Sequence, residues 1–253
     1  MSAPEESTEP DRRALRIEIY VVLAVTFGLS AYTAILDLIE AILLNLSKQI
    51  VALNPRLSPF DLINLGLNLA RVAQLVAWGA LGVYLLWRSG IGLAKIGLGR
   101  IRWSDALGGL GLAALVGLPG LGLYVAARAL GMSVSVVPST HENSWWHIPV
   151  LILLAFANGW AEEVIVVGFL LTRLQQLRVN PMVALVATSL LRGAYHLYQG
   201  WGAGLGNAAM GLVFGYTWRR TGRLWPLVIA HGIVDSVAFV GYILLANHLG
   251  WLK

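Results

Sequence analysis

Seven apolar runs, at about 17–45, 64–87, 106–131, 148–172, 181–198, 202–218 and 224–249, dominate this 253-residue sequence. Each is near the ~20 residues a helix needs to cross a hydrocarbon layer, although the fifth and sixth are short and the last is long enough to break or tilt. Only 12% of the residues are charged, against about 25% in a soluble domain. The predicted fold class is therefore all-α: a polytopic helical membrane protein of about seven transmembrane helices. An eighth, re-entrant piece around Ile91–Ile101 remains open. The division expected is a disordered cytoplasmic tail over 1–13, N-terminal transmembrane helices over 14–147, and a C-terminal helix bundle over 148–249.

The basic residues set the orientation. Arg12, Arg13, Arg16, Arg88, Lys95, Arg100, Arg102, Arg173, Arg178, Arg219, Arg220 and Arg223 fall on one side of the predicted spans, and Lys48, Arg56 and Lys253 on the other. The larger group predicts a cell-membrane protein with a cytoplasmic N-terminus. The first span reads as a signal anchor, since its apolar run outlasts a cleavable signal. A net charge of +5, held in short loops, does not point to nucleic acid. With no cysteine there is no disulfide and no thiolate site. Trp87, Trp103, Trp145, Trp146, Trp218 and Trp225 sit near run ends, as an interfacial belt would.

Against this background the stretch Ala161-Glu162-Glu163-Val164 stands out. A carboxylate in hydrocarbon costs roughly 2.5–3.5 kcal/mol on insertion scales, so such residues face the bundle interior and pair. Glu162, Glu163, Arg192, His196, His231 and Asp235 all fall inside the last four runs. Three pairs have the i,i+4 spacing that shares a helix face: Asn158 with Glu162, Arg192 with His196, and His231 with Asp235. Glu162 and Glu163 point about 100° apart, so one can face a cavity while the other pairs with a cation on a neighbouring helix. This inventory suits a Glu general base with His donors to an oxyanion, or a divalent metal site; spacing does not choose. Helix lengths put His196 and His231 about 10 Å apart in depth, which offset or broken helices must close. His141-Glu142 lacks the second His of a zinc protease helix.

Three segments resemble the CPBP family, the type II CAAX prenyl endoproteases and their bacteriocin-processing and immunity relatives. Glu162-Glu163 with Gly168-Phe169-Leu170 is similar to E-E-x-x-x-R-G, His196 closes a segment similar to F-x-x-x-H, and His231 to Asp235 is similar to H-x-x-x-N/D. The resemblance implies an intramembrane endopeptidase acting on a membrane-associated peptide or protein in the lipid bilayer. Glu162 would activate water, and His196, His231 and Asp235 would position substrate and oxyanion. Glu163, Arg192 and Asn158 are expected to support them. No cofactor is expected; a zinc ion held by His196, His231, Asp235 and Glu162 is the alternative. Val167 stands at the family's Arg and Arg192 at its aromatic, which predicts a relocated cation, Arg192 paired with Glu163. A proton-coupled transporter and a non-catalytic immunity or scaffold protein are the competing classes, since the former also needs buried Glu, His and Asp.

Overall fold

The structure, a computed structural model, describes residues 11–139 and 144–241. Residues 1–10 of the expected tail, His141-Glu142, and the end of the last apolar run lie outside the described residues. Asp11 caps the first helix through a bond from the Arg13 N–H, so Arg12 and Arg13 belong to that helix and not to the tail.

The first run folds as two helices, α1 (Arg12–Val25) and α2 (Phe27–Leu43). They meet at Thr26 with a 49° bend. The cause is local: the Thr26 hydroxyl donates back to the Val22 carbonyl at 2.7 Å, and such a bond competes with the helical ladder. A short strand, β1 (Ile50–Asn54), then leads to α3 (Asp61–Arg88), α4 (Trp103–Ala129) and a second strand, β2 (Ser135–Ser139). The strands pair in parallel, Ile50 opposite Ser135 and Asn54 opposite Ser139. This small sheet is absent from the sequence reading, because five-residue segments between apolar runs carry too little pattern.

The last four elements build the site. Helix α5 (His147–Glu162) continues through a π-helical segment (Glu163–Phe169) into α6 (Leu170–Gln176). They are followed by α7 (Pro181–Ala194), α8 (Trp201–Thr221) and α9 (Trp225–Ser236), which ends in a π-helical turn to Gly241. The α5–α6 unit is the axis of the bundle: 72% of its most apolar window is buried, against 22% for α3 and 11% for α4. Its neighbours are α3 and α9 along α5.

Among the described residues, three helices are long and apolar enough to cross a membrane (α3, α4 and α5–α6), or four if bent α1–α2 is one span. The expected count of seven or eight is not reached. Helix α7 has 14 residues, about 21 Å at 1.5 Å per residue, short of a ~30 Å hydrocarbon core. The stretch at Ile91–Ile101 is a short turn of 3-10 helix, Leu93–Ile96, tucked under the bundle end with Ile91, Ile96 and Leu98 buried. The tryptophans also divide. Trp87, Trp103 and Trp145 are exposed, whereas Trp146 is buried, and Trp218 and Trp225 donate to the carbonyls of Ile96 and Gly99.

Arg173 is a further correction. It lies within α6 rather than in a loop, and is fully buried. Its Nε meets Glu18 Oε1 at 2.6 Å, and its other nitrogens donate to Gln176, Ser89 and the Leu85 carbonyl. Four acceptors from α1, α3 and α6 account for a cation that the run pattern assigns to the surface.

Candidate active site

Glu162 and Glu163 close α5 and open the π-helical segment. Such wide turns are uncommon and recur at functional sites. Both carboxylates are buried, Glu162 at 2% exposure and Glu163 at 0%, yet their surroundings differ.

Glu163 is an anchor. Its Oε1 accepts from Arg192 Nη2 at 2.5 Å and from His231 Nδ1 at 2.7 Å. One carboxylate oxygen thus ties α5 to both α7 and α9. The Arg192 guanidinium lies over the Phe214 ring at 5.6 Å, and Arg192 is itself fully buried. The cation stands on the next helix, while Val167, at the place of the family's Arg, is buried in the π-helical segment.

Glu162 is held by neutral donors. Asn158 donates to its Oε1 at 3.0 Å, and Tyr195 donates its phenol to Oε2 at 2.5 Å. The Asn158 amide also reaches Asp235 Oδ2 at 2.9 Å. Two cationic or potentially cationic groups stand just beyond bonding range of Oε2: Arg192 Nε at 3.8 Å and His231 Nε2 at 4.0 Å. His231 Nε2 is also 3.6 Å from Asp235 Oδ2. With Nδ1 committed to Glu163, the imidazole presents Nε2 to Glu162 and Asp235. This is the orientation by a second residue that a catalytic His requires.

The structure therefore brings Asn158, Glu162, Glu163, Arg192, His231 and Asp235 into one connected cluster. His196 sits at its edge, its ring against Tyr195 at 4.8 Å between centroids. Its Nδ1 donates to the Arg192 carbonyl at 3.0 Å, so this i,i+4 pair works through the backbone and not between side chains. Both helices are interrupted near these histidines: α7 stops at Ala194, before His196, and α9 passes into a π turn after Ser236. Gly200 makes the turn beyond His196, with φ of 98°. A Cβ there would lie 2.7 Å from Ser133 Cα, so only glycine lets the chain bridge to the start of β2.

Tyr195 is the site residue that the sequence reading misses. A tyrosine near the end of an apolar run is ordinary in a membrane protein, and only the fold shows its hydroxyl on a carboxylate. The metal alternative also meets a geometric test. Among the described residues no three of His, Asp and Glu gather as a metal-holding group, and both oxygens of Glu162 already accept from Asn158 and Tyr195. The zinc ligand set His196, His231, Asp235 and Glu162 does not fit this arrangement.

Residues 144–237 match the family model described as type II CAAX prenyl endopeptidase Rce1-like. Over that segment the chain is similar to the CPBP family, to which the motifs at Glu162-Glu163, His196 and His231 also point. The matched segment runs from the turn before α5 to the start of the π turn after α9, and so holds every residue of the cluster. Comparison with curated proteins and with solved structures gave no match. The matched segment includes α5–α6, one of the helices apolar and long enough to cross a membrane.

Proposed function

We propose that this chain is an intramembrane endopeptidase in which Glu162 activates water against a peptide bond of a membrane-associated substrate. The observation that carries the reading is the contrast between adjacent carboxylates: Glu163 is locked to Arg192 and His231, whereas Glu162 has only neutral donors on its oxygens. Glu162 can take a proton without breaking a direct ion pair. In the proposed step water gives a proton to Glu162 while its oxygen bonds to the scissile carbonyl carbon. The carbonyl electrons move onto oxygen, where His231, as an imidazolium held by Glu163, donates from Nε2, and His196 lies alongside. The C–N bond then breaks as Glu162 returns the proton to the leaving amine. Donors aimed at a developing oxyanion in a water-poor site are worth several kcal/mol. Asp235 and Asn158 keep His231 and Glu162 in register.

No metal enters this scheme. The same reading puts the N-terminus and the basic bundle end in the cytoplasm. Activity of purified protein on a membrane-tethered peptide tests it. Glu162→Gln should lower turnover by at least about 100-fold, the scale of general base catalysis, with the helical fold retained. Wild-type turnover should survive strong chelators. Undiminished turnover in Glu162→Gln overturns the role of Glu162; loss in chelator restored by zinc, with stoichiometric bound metal, overturns the metal-free form.

A further inference from the structure

The N-terminal half of the chain lies outside the matched domain, yet it reaches the candidate base. Phe27, the first residue of α2, is buried and packs its ring on Tyr195, with centroids 4.9 Å apart. Trp78 of α3 meets the Phe27 ring edge-on at 5.5 Å. His196 faces Tyr195 at 4.8 Å. The phenol ring is thus held against rings from α2 and from its own chain neighbour, and its hydroxyl donates to Glu162 Oε2 at 2.5 Å. Phe27 owes its position to the Thr26 break, because a straight α1–α2 helix would carry it elsewhere.

What the hydroxyl does there follows from its competitors. Arg192 Nε lies 3.8 Å from the same oxygen and, with Nη1, has no hydrogen-bond partner among the described residues. A free N–H of a buried guanidinium is a strong draw for a carboxylate. If Glu162 swung onto it, the base would join the ion pair that already locks Glu163. Asn158 holds Oε1 from one side, and Tyr195 holds Oε2 from the other.

We propose that Tyr195 is a positioning residue for Glu162, and that the N-terminal helices set its place through Phe27. The inference rests on the reading of Glu162 as the base, but its first readout does not. Tyr195→Phe keeps the ring in its clamp and deletes only the hydroxyl. The infrared carboxylate stretch of Glu162, isolated as the difference between wild type and Glu162→Gln at fixed pH, should shift in the Tyr195→Phe background. With a cleavable substrate, kcat should fall about 10–100-fold, the usual cost of losing a group that orients a catalytic residue, while KM stays within about twofold. Phe27→Ala should shift the same band and lower kcat less. In the double variant Phe27→Ala should add no further loss, since the hydroxyl it positions is gone. An unshifted band in Tyr195→Phe overturns the proposal, as does a kcat equal to wild type. Additive losses from Phe27 and Tyr195 overturn the part assigned to the N-terminal half. Failure of the peptidase reading shows separately, as turnover that persists in Glu162→Gln while the band shift stands.

Discussion

Arg192 and Glu163 form an ion pair inside the bundle. Both are fully buried, and their contact is 2.5 Å. Removing one partner of such a pair strands the other charge, at a cost of about 3–5 kcal/mol. Arg192→Leu should therefore lower thermal stability in detergent sharply. Replacing both partners by apolar residues is a different case, since a packed apolar pair is often neutral against a buried ion pair. The double variant Glu163→Leu with Arg192→Leu should thus recover part of the loss, though not all, because His231 Nδ1 also leans on Glu163 at 2.7 Å. Additive destabilisation in the cycle would show that the two side chains do not act as a pair.

The helices depend on close backbone approach more than on apolar bulk. Between α7 and α8, a Cβ at Gly193 would stand 2.6 Å from the Gly204 carbonyl oxygen, and one at Gly211 would stand 2.9 Å from Ser189 Cα. Neither obstacle is a side chain that can rotate away. Small residues at such contacts are the usual means of packing helices in a membrane, where the hydrophobic effect gives no help. Gly193→Ala should cost about 1–3 kcal/mol, the range for overpacking, and should reduce activity with it, since Gly193 follows Arg192. Gly120→Ala in α4, where a Cβ would meet nothing within 4 Å, should leave stability unchanged or slightly raised. The two melting curves together check the point; equal effects at both positions would mean that α7 and α8 are not in contact through their glycines.

At the scale of the whole molecule, several basic residues tie loop and helix ends together by hydrogen bonds. Arg12 donates to the Leu177 carbonyl, and Arg219 to the Pro181 carbonyl. Arg223 pairs with Asp105 and donates to the Arg100 carbonyl. The hydrogen bonds it donates to Asp105 hold the Arg223 guanidinium above its ordinary pKa, so this cation is fixed at any working pH. The orientation proposed above, with these basic loops in the cytoplasm, follows the bias of Lys and Arg toward that side. A cysteine at Thr221, between Arg220 and Arg223, should resist an impermeant thiol reagent added to intact cells and react once the cells are opened. Labelling from outside would invert the orientation.

The sequence by itself determined that this protein is helical, is built of apolar runs suited to a membrane, and places Glu162, Glu163, Arg192, His196, His231 and Asp235 inside the last four of those runs. Apolar runs of such length leave no other environment, and a charge placed in one must find a partner. The same logic was enough to relate Arg192 to Glu163, because only one cation in those runs is spare once Val167 replaces the motif Arg. Tertiary structure decided the rest. The phase of the helix at Glu162 and Glu163 is set by a π-helical segment, which no 3.6-residue periodicity reveals. Arg173 became a core residue because Glu18, 155 positions earlier, lies against it. Tyr195 became part of the site because its hydroxyl meets Glu162, 33 positions earlier, on a neighbouring helix. Each of these depends on how far one helix is rotated and offset against another. That is fixed by packing between distant segments, and local composition carries no record of it.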